Sequence, residues 1–302
     1  RLGPSSLLLL VSLFILSTAC DLLEQSPMSS SPALETRYRT PDLNGAIDVT
    51  VAPNGDLLVA GTTEGHIAPT DGINARPLLL RVTPSGTITD TTVYRHVRYG
   101  ETVGAVPYQN GLAVLLEETR SEQEHSEWST LYSTAPDGTR RHLLFEQANT
   151  YVRRPLLRTA DGGVLFTRFR LQNDESDLVK LDSTGTSVWQ YRMPDAQFVQ
   201  SIDETPAGDL FVVGARDSSR FELARLTAGG QEQWHHPYGS DTLRDADAIT
   251  TVGSGAAVLG RLNDQPDRPG LETIVVTRFG ASGERQWEHT YAAGDVHPTT
   301  IS

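Results

Sequence analysis

The chain contains many side chains that could do chemistry, but their spacing fits no metal-binding pattern. Residues 173–177 (NDESD) offer the oxygen ligands that calcium prefers, yet they lack the glycine and the distal glutamate of an EF-hand loop. His235 and His236 are adjacent, and neighbouring side chains on a strand point to opposite faces, so the two cannot chelate one ion together. We therefore predict neither a metal site nor a cofactor.

Catalytic motifs are also missing from the sequence. It contains no Gly-x-Ser-x-Gly elbow, no His-Glu-x-x-His zinc motif and no phosphate-binding loop. With 38 acidic residues, pairs of carboxylates are expected by chance, and spacing alone does not show that any pair converges. We assign no catalytic residue and predict a protein that is not an enzyme.

The remaining candidates are charged residues in long polar segments between apolar runs. These segments are residues 61–76, 117–127, 170–177, 215–220 and 261–272. Variable loops on a rigid scaffold are where recognition usually occurs, although plain solvated loops have the same composition. The predicted binding residues in or beside these segments are Glu122, Glu124, Arg168, Asp174, Asp177, Arg216, Asp264 and Arg268.

The elements that must position these residues form a repeat. Each unit has an apolar strand, a tight glycine turn, a second apolar strand, a polar segment, a third strand, another glycine turn and a closing strand. Three units place tryptophan four residues after the second glycine, at Trp189, Trp234 and Trp287. Four-stranded units of roughly 40 to 50 residues are typical of a β-propeller. The predicted fold is therefore all-β, a β-propeller of four-stranded antiparallel blades.

Five complete blades can be assigned from the repeat. They cover residues 46–94, 103–145, 158–191, 206–234 and 253–291. Residues 35–41 resemble the closing strand of a blade, and residues 295–302 resemble the entry to another. We expect a partial sixth blade closed by the N-terminal strand, in a chain that is cut short at its C-terminus.

Alternation of strand direction predicts two different ends for every blade. The first and third connections are tight turns such as Asn54-Gly55, a strong hairpin signal, and the long polar segments lie at the opposite end. The tryptophans are expected to cover a neighbouring blade while each indole N–H finds a partner. Four blades each have a basic residue at the same position of the third strand. We expect the aliphatic part of each side chain to lie between blades and its charged group to lie in water. These residues are Arg81, Lys180, Arg225 and Arg278.

The N-terminal region predicts secretion. Leu7–Leu16 is an apolar run of about ten residues, shorter than the roughly 20 that a membrane helix needs, but suited to a signal peptide. Small residues then precede Cys20, the only cysteine, which excludes an internal disulfide framework. This pattern resembles a bacterial lipoprotein signal. The resemblance implies cleavage after residues 1–19, lipidation of Cys20, a flexible tether over residues 20–34 and a propeller over residues 35–302.

The charge balance excludes one class of partner. The chain has 25 basic and 38 acidic residues, a net charge of −13, which repels the phosphate backbone of nucleic acids. We expect no nucleic-acid partner, membrane contact only through the lipid anchor, and a monomer.

Two segments carry a family resemblance. Lys180–Trp189 and Arg225–Trp234 resemble the repeats of bacterial lipoprotein β-propellers and of the related quinoprotein-like propellers with a tryptophan-docking pattern. The resemblance covers about residues 44–302 and implies the fold, whereas propellers host many activities. Several quinoprotein enzymes of this type use adjacent cysteines, which a single cysteine cannot supply.

Two functions remain from this reasoning. The first is a non-enzymatic lipoprotein of the bacterial cell envelope that binds a protein or glycan through its long loops. The alternative is a propeller hydrolase or lyase that acts on an extracellular carbohydrate or ester.

Overall fold

The computed structural model describes most of the repeat region. The described residues are 43–63, 76–97, 99–121, 126–148, 150–151, 156–170, 175–194, 196, 198–215, 220–239, 243–262 and 273–292. Within these ranges the only helices or strands are β-strands, which form five antiparallel sheets joined by turns. The predicted all-β propeller is confirmed. No helix in the described ranges is long and apolar enough to cross a membrane.

Each sheet is one blade, whose four strands we name a to d in chain order. Blade 1 contains β1 (Leu43–Val51), β2 (Leu57–Thr63), β3 (Pro77–Val82) and β4 (Ile88–Val93). Blade 2 contains β5 (Tyr99–Tyr108), β6 (Gly111–Ser121), β7 (Ser126–Thr134) and β8 (Arg140–Ala148). Blade 3 contains a short β9 (Thr150–Tyr151), then β10 (Leu156–Arg158), β11 (Val164–Arg170), β12 (Glu175–Leu181) and β13 (Ser187–Arg192).

The last two blades have the same order. Blade 4 contains β14 (Phe198–Glu204), β15 (Leu210–Ala215), β16 (Arg220–Leu226) and β17 (Glu232–Gly239). Blade 5 contains β18 (Leu243–Val252), β19 (Gly255–Leu262), β20 (Thr273–Phe279) and β21 (Arg285–Ala292). In blade 3, β10 and β9 both pair with β11 and together supply strand a.

The tight turns repeat one backbone geometry. Gly55 has a φ of 87°, its N–H donates to Ala52 O at 2.9 Å, and the N–H of Ala52 donates to Asp56 O at 2.8 Å. A positive φ at this place favours glycine, which has no Cβ to collide with the backbone. The same pair of hydrogen bonds occurs at the turns of Gly86, Gly138, Gly162, Gly185, Gly208, Gly230 and Gly283. We call the end of the blades that carries these hairpins the turn end, and the end where strands b and c are joined the loop end.

The core lies between blades because both faces of the inner strands are apolar. In β11, Phe166 belongs to an apolar cluster with Val103 and Val106 of blade 2, while Leu165 on the other face belongs to a cluster with Leu210 and Val212 of blade 4. Burying each such large side chain stabilises the fold by about 1.5–3 kcal/mol. Hydrophobic contact between consecutive blades therefore supplies most of the driving force.

Hydrogen bonds at the turn end join each blade to the next. In four of these bonds the acceptor is a backbone carbonyl in the c–d turn of the following blade. The bonds run from Tyr94 Oη to Gly138 O (3.3 Å), Tyr108 Oη to Asp182 O (3.4 Å), Trp189 Nε1 to Ala228 O (3.1 Å) and Trp234 Nε1 to Ala281 O (3.0 Å). Trp189 and Trp234 thus have the packing role predicted for them. Trp287, in β21, is 40% exposed.

Several sequence predictions lie outside the described residues. They are the signal peptide over residues 1–19, Cys20, the tether over residues 20–34, the N-terminal strand over 35–41 and the sixth-blade entry over 295–302. The predicted segment 117–127 needs a correction, because β6 continues to Ser121 and β7 begins at Ser126.

Candidate functional site

The structure changes the assignment of the two predicted binding residues that it describes. Arg168 lies in β11 and Asp177 lies in β12, so neither belongs to a loop. Both strands continue past the predicted boundary because the two charged side chains face each other in register and neutralise each other. The other predicted binding residues, Glu122, Glu124, Asp174, Arg216, Asp264 and Arg268, lie outside the described residues.

Asp177 is the centre of a charge cluster near the loop end of blade 3. Its Oδ2 lies 2.6 Å from Arg168 Nη2 and 2.7 Å from Arg170 Nη2, and its Oδ1 lies 3.3 Å from Arg192 Nε. Glu175 pairs with Arg192 at 2.9 Å. We call these five residues the blade-3 charge cluster. Three guanidinium groups and two carboxylates leave it with a net charge of +1.

The cluster is anchored against blade 2. Arg168 Nη1 donates to Gln147 Oε1 at 2.5 Å, and the guanidinium carbon lies 5.8 Å from the ring centroid of Phe145. Arg168 Nη2 also donates to Gln190 Oε1 at 3.1 Å. These contacts fix Arg168, whereas the side chains of Arg170 and Arg192 are 28% and 48% exposed.

Asp177 is held in its ionised form. Burial alone would raise its pKa, but the hydrogen bonds and positive charges of Arg168 and Arg170 outweigh burial, and the pKa lies below its ordinary value. A carboxylate in this state binds and orients arginines. It is poorly suited to donating a proton.

The other blades do not repeat this charge pair. Register places one residue of strand b opposite one of strand c at the same position in each blade. The pairs are Gly61 with Leu78, Leu116 with Thr130, Gly214 with Glu222, and Gly260 with Val275. Because small or apolar residues suffice in strand b of these four blades, the architecture of the repeat does not require arginine in blade 3.

A second feature lies at the turn end, between blades 3 and 4. A cavity of about 190 Å³ opens there. Its lining combines two carboxylates, one ammonium group and an indole with small apolar residues. The lining residues are Thr159, Ala160, Asp161, Lys180, Trp189, Glu204, Pro206, Ala207, Gly208, Leu210 and Ala228.

Lys180 contradicts the prediction that its charge lies in water. The side chain is 4% exposed, and Nζ lies 2.7 Å from Asp161 Oδ1 and also donates to Thr159 Oγ1. Lys180 points from β12 to the a–b turn of its own blade, where these oxygens replace its hydration.

The arginines at the same position also have protein partners. Arg81 pairs with Asp56 at 3.5 Å and Arg225 with Asp209 at 2.7 Å, while Arg278 donates to Val252 O at 2.6 Å. All three are partly buried, so the prediction of charges in water is wrong for them as well.

The two carboxylates of the cavity have opposite pKa shifts. Burial would raise the pKa of Asp161, but bonds from Lys180, Thr159 and the backbone lower it to about 2. Burial raises the pKa of Glu204, and the nearby charge of Asp161 adds to the effect. Glu204 Oε2 accepts a hydrogen bond from the N–H of Ala160 at 2.7 Å, so this side chain bridges the two blades.

Sequence reasoning did not find this cavity. The available signal was Lys180 itself, the only lysine in the chain, at a position where three other blades carry arginine.

The two adjacent histidines behave as structural residues of an outer strand. His235 Nε2 lies 3.8 Å from Glu222 Oε2, whereas His236 stacks on Trp234 with ring centroids 5.2 Å apart. They face different neighbours, as predicted. Among the residues that the structure describes, no group of three or more His, Cys, Asp or Glu side chains could hold a metal ion.

Comparisons with known proteins add little about function. No protein-family model matches the chain. A comparison with curated proteins also finds no match.

Solved structures with a similar fold include the β-propeller domain of the Trilobed protease from Pyrococcus furiosus. It is 10% identical, with a TM-score of 0.42, over 65% of this chain and 58% of that one. Prolyl oligopeptidase B from Galerina marginata is 11% identical, with a TM-score of 0.49, over 80% of this chain and 33% of that one. The PQQ-bound aldose sugar dehydrogenase from Streptomyces coelicolor is 13% identical, with a TM-score of 0.44, over 84% and 83%. At these values the similarities carry no argument about activity.

Proposed function

We propose that this chain is a non-enzymatic binding protein of the bacterial cell envelope that holds a protein or glycan at its loop end. The observation that carries this proposal is the blade-3 charge cluster. It holds the partly exposed donors Arg170 and Arg192 near the loop end, around the buried Arg168–Asp177 pair. The strand-b position of Arg168 is uncharged in the other four blades.

The cluster has the properties of a binding surface. Arg168 and Asp177 are nearly buried and fix the geometry, while Arg170 and Arg192 keep N–H groups near solvent. A preorganised guanidinium loses little conformational freedom when it donates to a carboxylate or to sugar hydroxyls. The net charge of −13 opposes a polyanion, so the proposed partner is a glycan or protein surface of low negative charge.

The state of Asp177 favours binding over catalysis. A general acid works best with a pKa near the working pH, but the pKa of Asp177 is lowered by its arginine partners. The alternative function, a hydrolase or lyase that acts on an extracellular carbohydrate or ester, predicts catalytic turnover of a chromogenic substrate.

The experiment compares ligand binding by two matched variants. The wild-type protein is applied to an array of bacterial surface glycans and purified envelope proteins. Arg170→Ala combined with Arg192→Ala should weaken binding of any retained ligand at least about tenfold, the effect of losing two charge-assisted hydrogen bonds.

Arg261→Ala is the matched control. Arg261 forms an ion pair with Asp247 at 2.7 Å near the loop end of blade 5. Equal loss in both variants, or no loss in the double variant, would exclude the blade-3 charge cluster as the binding site. Turnover of a chromogenic ester or glycoside would support the alternative function.

A further inference from the structure

An arginine side chain closes the turn-end junction of blade 4 with blade 5. Arg225 Nη2 pairs with Asp209 Oδ2 at 2.7 Å, and Arg225 Nη1 donates to Ala281 O of blade 5 at 2.9 Å. The same carbonyl accepts from Trp234 Nε1 at 3.0 Å, so both of its lone pairs are used.

Blade 1 uses the same arrangement against blade 2. Arg81 Nη1 lies 3.5 Å from Asp56 Oδ2, and Arg81 Nη2 donates to Pro136 O. In both blades a guanidinium group therefore bridges a carboxylate of its own blade and a turn carbonyl of the next blade.

Blade 3 lacks this guanidinium group. Lys180 takes the position of Arg225, and Gly163 takes the position of Asp209. The carboxylate partner of Lys180 is instead Asp161, which lies two residues earlier in the a–b turn. Lys180 Nζ is used by Asp161 and Thr159. The carbonyl that corresponds to Ala281 O is Ala228 O. Among the described residues it accepts from Trp189 Nε1 at 3.1 Å and receives no bond from Lys180.

The two differences of blade 3 from blade 4, Lys180 for Arg225 and Gly163 for Asp209, are adjacent in space. A Cβ added at Gly163 would lie 2.3 Å from Leu181 O and 2.9 Å from Lys180 Nζ, so the end of the lysine side chain uses the space beside this glycine. The cavity of about 190 Å³ occupies the region between Lys180, Trp189, Glu204 and Ala228. An arginine at position 180 that followed the path of Arg225 in blade 4 would extend into this region.

The electrostatics of the cavity favour a cation. Asp161 and Glu204 supply two carboxylates against the single ammonium group of Lys180. The rest of the protein adds a negative field, because the net charge of the chain is −13. Burial raises the pKa of Glu204, and a cation beside it would offset that burial.

Trp189 contributes an aromatic surface to the same cavity. An indole attracts cations, and the planar guanidinium group is the cation that most often uses this contact in proteins. In blade 4 the guanidinium carbon of Arg225 lies 5.4 Å from the ring centroid of Phe211, a similar contact with an aromatic ring.

We propose that the cavity between blades 3 and 4 binds a small guanidinium cation, which takes the place that the arginine side chain fills in blades 1 and 4. The cation would donate to Ala228 O and Glu204 and contact the indole of Trp189. The group could belong to a free small molecule or to an arginine of a peptide, and both have the same chemistry. This site lies at the turn end and is independent of the function proposed for the loop end.

Calorimetry and NMR test the proposal on the full chain. Because Lys180 is the only lysine, ¹³C-labelled lysine gives one side-chain signal that reports on the cavity. Methylguanidine should shift this signal saturably and give one site per chain in calorimetry. Methylurea has the same shape and no charge, and it should produce no saturable shift. An equal response to both compounds, or none to methylguanidine, would overturn the proposal.

A conservative substitution tests the location of the site. Lys180→Arg should fill the cavity as Arg225 does in blade 4, reducing methylguanidine affinity at least about tenfold in calorimetry while the thermal midpoint is retained. Glu204→Gln should also weaken binding, and Glu288→Gln on the outer strand of blade 5 should leave it unchanged. Unaltered affinity in Lys180→Arg would overturn the proposal.

A further titration identifies the source of the cation. The peptide Gly-Arg-Gly is compared with methylguanidine and with Gly-Lys-Gly. Binding of Gly-Arg-Gly equal to that of methylguanidine would assign the cavity to an arginine side chain of a protein partner. Binding of methylguanidine alone would assign it to a free small molecule.

Discussion

Arg168 and Asp177 face each other across β11 and β12, with Nη2 2.6 Å from Oδ2 and both side chains less than 10% exposed. Blade 2 carries Leu116 and Thr130 at the corresponding positions. The same pair of positions is therefore charged in blade 3 and uncharged in blade 2. Replacing the blade-3 residues by those of blade 2, singly and together, distinguishes the free-energy cost of losing a charge partner from the cost of lost packing.

Arg168→Leu should lower the free energy of unfolding by about 2 kcal/mol, because Asp177 loses its most buried partner and keeps Arg170 and Arg192. Arg168→Leu combined with Asp177→Thr should lower it by less than about 1 kcal/mol, since no buried carboxylate then loses a partner. Urea unfolding of the single and double variants measures both values. A double variant as unstable as the single one would show that packing, rather than charge, is the cause.

Stability should fall in acid because of Asp177. Its pKa in the folded protein lies below the unfolded value of about 3.9, so its ionised form stabilises the fold above that pH. This contribution is lost as the pH falls through the folded pKa. The urea midpoint of Asp177→Asn should therefore depend less on pH below about pH 4 than that of the wild type. Asp247→Asn is the control, and an identical pH dependence in wild type and Asp177→Asn would contradict the prediction.

The tryptophans of consecutive blades should differ in importance. Trp189→Phe and Trp234→Phe each remove a hydrogen bond to a turn carbonyl and part of a packed ring, at an expected cost of about 1–2 kcal/mol. Trp287→Phe is the matched control, because this side chain is 40% exposed, and its cost should be below about 0.5 kcal/mol. Thermal and urea unfolding compare the three variants. Equal losses of unfolding free energy in all three variants would show that the hydrogen bonds between blades do not cause the loss.

Two turn glycines provide a second matched pair. Gly230 and Gly253 both have a positive φ, but a Cβ at Gly230 would collide with the ring of Trp189, whereas nothing lies within 4 Å at Gly253. Gly253→Ala should cost about 1 kcal/mol from backbone strain alone. Gly230→Ala should cost clearly more, because it also displaces the tryptophan. Similar urea midpoints for the two variants would contradict this account.

The proposed lipid anchor makes a prediction about location. In a bacterial host, Cys20→Ser should move the protein from the membrane fraction to the soluble envelope fraction and abolish incorporation of labelled fatty acid. Lipidation is the physical reason, since buried methylene groups contribute about 0.8 kcal/mol each to membrane binding. Unchanged membrane association of Cys20→Ser would exclude the anchor.

The fold could be predicted from the sequence because its strongest signals are local. Glycines such as Gly55 and Gly185 mark turns that need a positive φ, and apolar runs between them mark strands buried on both faces. The tryptophan repeat also predicted the contacts between blades, which the indole bonds of Trp189 and Trp234 show.

The candidate site was harder to predict because it depends on pairing between distant residues. The sequence places Arg168 and Asp177 in or beside the polar segment 170–177, since charged residues that follow an apolar run are typical of a loop. Their mutual neutralisation, which lets the strands continue, depends on cross-strand register. The cavity beside Lys180 is not predictable from sequence for a similar reason, because it depends on the different paths that Lys180, Arg81 and Arg225 take in three dimensions.

The hydrogen bonds between blades have a consequence for sequence change. The acceptors at Gly138, Asp182, Ala228 and Ala281 are backbone carbonyls, which every amino acid supplies. Apart from its glycine of positive φ, where a Cβ would collide with the blade before, a c–d turn can therefore accept new side chains without losing these hydrogen bonds. Duplication of a blade within a gene would likewise bring its own acceptor, so this architecture can grow and diversify one unit at a time.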